Sequence, residues 1–361
     1  MTSSNASART AASGSMKNEH RFPWKWNLAD LNNVEKNGKT VFSCFSCGGG
    51  SSMGYKLAGY QMVGCCEIDP RMVEIYRKNL HPMFVYNEDV RDFLKEDLDQ
   101  LPEDLLHLDI LDGSPPCSVF SMAGKREEGW NKDKVFREGQ AKQKLDDLFF
   151  YFIAIAKRLQ PKVVIAENVS GLIKGNAKGY VNEIFKAFQD AGYDAQLFLL
   201  NSAFMGVPQK RERTVFLARR KDLGLPKIIM RFCEPAVYFG EVRSEHGKPI
   251  DPESQTYKLL QMRRPGDKCI GDINARWKGK NTGFTVNIVA DTDVSCTLTS
   301  GGGMFRDCDG EAFSEKDFVS IQTFPQDYDF GKESAQYVCG MSVPPVMMAN
   351  IATEVYEQWL K

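Results

Sequence analysis

From residue 39 to about residue 220 the chain repeats one unit: an apolar run of strand length, a short turn, then an amphipathic helix. The runs are TVFSCFS, QMVGCCEID, MFVY, LLHLDILDG, PKVVIAEN, AQLFLL and RTVFLARR, and helical spacing falls over residues 52–58, 70–79, 144–159 and 181–189. Parallel strands need a crossover between them, and a helix is the usual one. The pattern therefore predicts an α/β fold with a doubly wound, mostly parallel, Rossmann-like sheet. Beyond residue 220 the rhythm breaks into short, glycine-containing, charged segments, which predicts a second, smaller, irregular domain over 221–334. Residues 344–360 regain helical spacing through Val346, Met347, Ile351, Val355 and Leu360, so 335–361 are expected to pack back on 16–220. The first 15 residues are rich in Ser, Ala and Thr and read as a disordered tail or expression remnant.

Bulk properties exclude several classes. No apolar run approaches the roughly 20 residues that span a bilayer, and the start lacks the apolar stretch of a secretory signal, so the cytoplasm is the expected location. The ten cysteines are scattered through a long chain, several in strand-like runs, and read as reduced thiols. Cys44 and Cys47 form a Cys-x-x-Cys pair, but no second pair follows at zinc spacing and the four histidines stand far apart, so no metal is expected. A net charge of −1 argues against a uniformly basic nucleic-acid binder and leaves local basic patches to be found.

Three features carry chemistry. Phe45-Ser46-Cys47-Gly48-Gly49-Gly50 follows a strand and precedes a helix, where a glycine turn at the carboxyl edge of a parallel sheet can meet a ligand. Glu67 ends the next strand about 20 residues on, the usual place for an acid that accepts ribose hydroxyls, and Asp89 after the third strand can accept from an adenine amine. The spacing of Gly48, Gly50 and Gly54 departs from Gly-x-Gly-x-x-Gly and leaves both a dinucleotide and S-adenosylmethionine open. Second, Asp112-Gly113-Ser114-Pro115-Pro116-Cys117 places a thiol on a rigid turn over the same sheet edge, since Pro-Pro continues neither a strand interior nor a helix. Third, Glu167 in Ala166-Glu167-Asn168-Val169 points a carboxyl group to that edge, and Arg211 and Arg213 begin another strand on one face.

Taken in order, FSCGGG, GSPPCSVFS, LFFYFIAIAKRLQPKVVIAENV and VPQKRERTVF resemble the DNA cytosine-5 methyltransferase family of bacteria and phages, and CTLTSGGG and CGMSVPP extend the match toward the end. The resemblance implies S-adenosyl-L-methionine as cofactor, with S-adenosyl-L-homocysteine as product. Its site would be formed by Phe45, Ser46, Cys47, Gly48, Gly50, Glu67, Ile68, Asp89, Val90, Ser114, Pro116, Leu148, Ser342 and Val343. It also implies Cys117 as nucleophile, Glu167 as the acid at ring nitrogen 3, Arg213 at the base carbonyl, and Arg211 organising the neighbouring loop or binding phosphate. Cys47, Ser118 and Met341 depart from the family, which usually has Gly, Gln and Gly-Asn-Ser-Val there.

Duplex DNA is the implied partner, with 221–334 as target-recognition domain. Ser121, Lys125, Arg126, Arg263, Arg264 and Lys278 are the expected DNA contacts. Residues 125–144, with Trp130, read as a loop that closes over a flipped base, and 258–280 as a locally basic face. A monomer is expected, with a cognate restriction endonuclease as the candidate partner in the same system. Three other readings stand beside this one: a transfer-RNA cytosine-5 methyltransferase, a nicotinamide-dependent oxidoreductase, and a catalytically silent DNA-binding module.

Overall fold

A computed structural model of the chain describes residues 20–116, 147–173, 178–279 and 286–361. The first half alternates β1 (Thr40–Cys44), α1 (Gly50–Leu57), β2 (Gln61–Cys66), α2 (Pro70–Leu80), β3 (Phe84–Tyr86), α3 (Val90–Phe93), α4 (Glu103–Leu106) and β4 (Ile110–Gly113). Then follow α5 (Leu148–Leu159), β5 (Val163–Val169), α6 (Lys178–Asp190), β6 (Tyr193–Asn201) and β7 (Glu212–Arg220). The seven strands lie in the order β3-β2-β1-β4-β5-β7-β6. Strands β1 to β5 pair in parallel, whereas β7 is antiparallel to both β5 and β6. The expected doubly wound sheet is present, and its order reverses between β1 and β4, where such sheets open a crevice at their carboxyl ends.

Side-chain alternation along the strands builds the layers. Phe42, Val164 and Ala166 point into a core with Phe149 and Phe152 of α5 and Ile184 and Phe188 of α6. Val41, Val163 and Ile165 face the other way, onto Val346, Met347 and Ile351. Those last three belong to α12 (Pro345–Val355), which covers most of the predicted carboxyl-terminal helix. A π-helical turn, Tyr356–Leu360, finishes the segment. Gly54 marks the close approach of α1 to α12, because a Cβ there would stand 2.5 Å from the Pro345 carbonyl and 2.9 Å from the Ala349 amide.

After β7 the elements are short, as the loss of periodicity predicted: α7 (Phe239–Val242), α8 (Gln255–Leu260), α9 (Ile270–Lys278), β8 (Asn287–Val289), β9 (Met304–Arg306), α10 (Glu315–Ile321) and α11 (Ala335–Met341). The parallel β8–β9 pair has no signature in the sequence, because its three-residue strands are too short for alternation to be read. Leu259, Leu260, Ile270, Ile273, Ile288 and Phe305 form a small core of their own. Phe239, Phe313, Phe318 and Phe324 instead join a cluster with Met53 of α1 and Met72 and Tyr76 of α2.

Candidate active site

The turn after β1 is the most strained backbone near the crevice. Phe45, Cys47 and Gly49 take φ values of 55°, 47° and 80°, in the left-handed region that penalises side chains with a Cβ. Position 47, where cysteine departs from the family's glycine, is therefore a position with a physical reason for glycine. The Glu67 carboxylate holds the turn: Oε2 accepts from the Cys47 amide at 2.8 Å and Oε1 from the Asp69 amide at 2.9 Å. Burial raises the Glu67 carboxyl, and those amide bonds oppose the shift.

The same turn bounds a cleft with about 830 Å³ of empty space, part of it open to solvent, within the usual size of a nucleoside-type site. Phe45, Ile68, Val90 and Leu148 give it apolar walls, and Glu67, Asp69, Glu88 and Asp89 are its charged lining. Ser114 and Pro116 close it on the β4 side. Cys47 is there too, and nine of the expected cofactor residues thus line one cleft. Cys66, Asp69, Met72, Glu88, Tyr337 and Met341 also line it and were not expected. Met341 and Tyr337 arrive from α11, almost 300 residues away in sequence, a closure that local patterns do not encode.

Asp89 is partly engaged already, because its side chain caps α3 through the Arg91 amide at 2.9 Å and pairs with the Arg91 guanidinium at 3.2 Å. Glu88 Oε1 is buried and has no hydrogen-bond partner among the described residues, which leaves an acceptor on a residue of the cleft wall. Ser46, Gly48, Gly50, Ser342 and Val343 do not line the cleft but lie buried behind it. A Cβ at Gly48 would meet Val338 Cγ1 at 2.3 Å, and one at Gly50 would meet the Val343 carbonyl at 2.2 Å. These glycines allow the close packing of 338–343 against the turn. Gly50→Ala is expected to cost about 1–3 kcal/mol by overpacking, measured by urea denaturation. An unchanged midpoint would mean that this contact relaxes freely.

Across the crevice, Arg213 Nε lies 2.7 Å from Glu167 Oε1, both side chains largely buried. The register explains the meeting: Val169 of β5 stands opposite Arg213 of β7, one alternation step from Glu167 on the same face. Burial pulls the Arg213 guanidinium down, and the Glu167 carboxylate counters it. Asn168, next in β5, donates to the Pro115 carbonyl at 3.0 Å and so ties this strand to the Pro-Pro turn. Its position beside Glu167 was visible, but its partner was not.

Arg211 is buried and donates to the Leu298 carbonyl at 3.0 Å and the Gly340 carbonyl at 3.1 Å. It clamps two loops together, and the phosphate-binding alternative is corrected by that burial. Cys117, Ser121, Lys125 and Arg126, the loop 125–144 and position 118 lie outside the described residues; Cys117 follows Pro116 directly in sequence. Every described cysteine is a free thiol. Burial pushes Cys47 up to about 12, with the Glu67 charge adding to the shift, and pushes Cys44 up as well, so the Cys-x-x-Cys pair stays protonated at neutral pH.

On the expected DNA face, the Arg263 guanidinium donates to the carbonyls of Asp307 (3.0 Å from Nη2) and Leu260 (3.0 Å from Nη1) and so ties the end of α8 to the turn after β9. Arg264 and Lys278 are exposed, and Lys278 lies 4.8 Å from the centre of the exposed Trp277 ring.

Comparison with known proteins agrees with this geometry at the level of fold and family. Superposition gives a TM-score of 0.65 with a DNA modification methyltransferase encoded within an Escherichia coli prophage, at 18% identity, covering 90% of this chain and all of that one. A DNMT2 variant of Spodoptera frugiperda gives 0.59 at 17% identity, covering 88% and 100%. The fold is thus the Rossmann-like methyltransferase fold. Residues 39–357 match the family described as C-5 cytosine-specific DNA methylase; the chain belongs to that family and is a DNA cytosine-5 methyltransferase. Among curated relatives, the type II methyltransferase M.Sau96I of Staphylococcus aureus is 34% identical over 356 residues, covering 92% of this chain and 79% of the relative. M1.HphI of Haemophilus parahaemolyticus is 28% identical over 343 residues, covering 88% and 86%.

Proposed function

We propose that the chain methylates carbon 5 of a cytosine flipped out of duplex DNA, using S-adenosylmethionine and a transient bond from Cys117. The observation that carries this reading is the meeting of a carboxylate-lined, apolar-walled cleft with the Ser114–Pro116 turn, braced by Asn168 beside the Glu167–Arg213 pair. Four carboxylates suit a cationic sulfonium nucleoside and repel the pyrophosphate of a nicotinamide dinucleotide. Glu67, Glu88 and Asp89 would hold its hydroxyl and amine groups, with Phe45, Ile68, Val90 and Leu148 against its base. When bound, it supplies an electrophilic methyl group.

The protein's own groups do the rest. The Cys117 thiolate bonds to carbon 6 of the base, and the electrons of the 5,6 double bond move to carbon 5 and the ring. Glu167, carrying a proton, donates to ring nitrogen 3 and Arg213 donates to the carbonyl oxygen, where the displaced charge collects. After methylation a water molecule acting as base takes the carbon 5 proton, the 5,6 double bond re-forms from that bond's electrons and the carbon–sulfur bond breaks, which returns the thiolate. The base has to leave the stack because its edge is out of reach within it.

The division into 16–220 with 335–361 and a target-recognition part over 221–334 belongs to the same proposal, supported by the separate small core around Leu260 and Ile273. Arg264 and Lys278 are the proposed phosphate contacts there, alongside Ser121, Lys125 and Arg126. The names of the type II relatives support a place in a cytoplasmic restriction–modification system with a cognate endonuclease. A monomer belongs to the same proposal. Among the described residues no helix is long and apolar enough to cross a membrane. Purified chain with labelled donor is expected to methylate duplex DNA and to leave transfer RNA unlabelled. Label on transfer RNA alone would overturn the DNA reading.

A further inference from the structure

One buried acid stands outside this scheme. Asp112 lies on β4 at the switch in strand order, 1% exposed, two residues before Ser114 enters the cleft wall. Its Oδ2 accepts from Ser43 Oγ at 2.7 Å and Ser51 Oγ at 2.8 Å, and its Oδ1 from the Tyr55 hydroxyl at 3.1 Å. Ser43 is its register partner on β1, while Ser51 and Tyr55 stand one turn apart on the same face of α1. One carboxylate therefore fastens the strand before the glycine turn, the helix after it, and the strand that runs on into Ser114–Pro116. Its three side-chain partners among the described residues are all neutral hydroxyls, so its buried charge is held by hydrogen bonds and not by a cation.

We propose that Asp112 is a positioning residue: its ionised carboxylate holds the methyl-donor turn in register with the Ser114–Pro116 turn, which Cys117 follows in sequence. The inference rests on the function proposed above. An ionised carboxylate accepts from all three hydroxyls. A protonated one donates through one oxygen and leaves at least one hydroxyl to find another partner. Burial raises the Asp112 carboxyl to about 6, the three hydroxyls oppose the rise, and the Glu167 charge adds to it. Cys44 on β1, Tyr55 on α1 and Tyr76 on α2 also feel its charge, and burial holds all three above their ordinary range, so they do not titrate in that region. Falling pH should then loosen the register before it empties the cleft.

The test uses the full chain with single-turnover methylation of duplex DNA from about pH 5 to about pH 8, beside calorimetric binding of S-adenosylhomocysteine. The parent is expected to show an acid limb. Ser51→Ala and Tyr55→Phe, which keep the carboxyl and remove one donor each, should move its midpoint up by roughly half a unit or more. Asp112→Asn should lower the plateau rate by about ten-fold or more and lose that limb, with product affinity within about three-fold of the parent. An acid limb that stays in place in both Ser51→Ala and Tyr55→Phe would overturn the inference, as would product affinity falling in step with the rate. A parent that binds no S-adenosylhomocysteine would overturn the inference together with the reading beneath it; a parent that binds and methylates, with unmoved variants, overturns the inference alone.

Discussion

Cys117→Ser is expected to lower methyl transfer by at least about three orders of magnitude while S-adenosylhomocysteine still binds within a few-fold of the parent. A hydroxyl at that position is a far weaker nucleophile at neutral pH, because its conjugate base is scarcely populated there. Binding should survive because the substitution exchanges one sulfur for oxygen and leaves the described walls of the cleft, from Phe45 and Glu67 to Val90 and Leu148, unchanged. The contrast with Cys47 sharpens the expectation. That thiol lines the cleft, yet burial and the Glu67 charge hold it protonated, so Cys47→Ala should change the rate little. A fully active Cys117→Ser enzyme would remove the covalent route, and a Cys47→Ala enzyme that binds S-adenosylhomocysteine like the parent yet is inactive would move the chemistry to another sulfur.

The second large effect is expected at the Glu167–Arg213 pair. Arg213→Ala leaves a buried carboxylate without its guanidinium, a change that costs about 3–5 kcal/mol when the partner cannot be replaced by water. The same substitution removes the proposed contact at the base carbonyl, so methylation should fall by about a hundred-fold or more. Glu167→Gln with Arg213→Met, which removes both charges, should recover most of the lost stability and none of the lost activity. Chemical denaturation and single-turnover rates on the two variants separate these effects. Activity returning with stability in the double variant would reduce the pair to a scaffold element.

The fold was legible in the sequence because parallel strands buried on both faces produce runs such as PKVVIAEN, and intervening helices produce a second, longer period. Short-range patterns also located Glu67, Glu167 and the Ser114–Pro116 turn, since each sits at the carboxyl end of a strand and the sheet brings those ends together. What the patterns missed depends on distant chain. The packing of Gly48 and Gly50 against Val338 and Val343 is fixed by the return of α11 and α12. The hydrogen bonds of Arg263 to the Asp307 and Leu260 carbonyls were equally out of sight, because charge is visible in sequence and a side chain's direction is not. Arg211 was caught between two roles for the same reason, and its burial against Leu298 and Gly340 selects the structural one. The antiparallel insertion of β7 between β5 and β6 is likewise silent in composition, yet it is what sets Arg213 beside Glu167.

The central claim is a bond between one particular sulfur and carbon 6 of cytosine. Duplex DNA carrying 5-fluorocytosine tests it most directly, because fluorine cannot leave carbon 5 as a proton does, and the enzyme stays attached after methyl transfer. Incubation with S-adenosylmethionine, digestion and mass spectrometry should find the modified base on the peptide that contains Cys117, and on none when the cofactor is withheld. A trapped complex on any other cysteine, or active methylation of ordinary DNA with no trapped complex at all, would contradict the account.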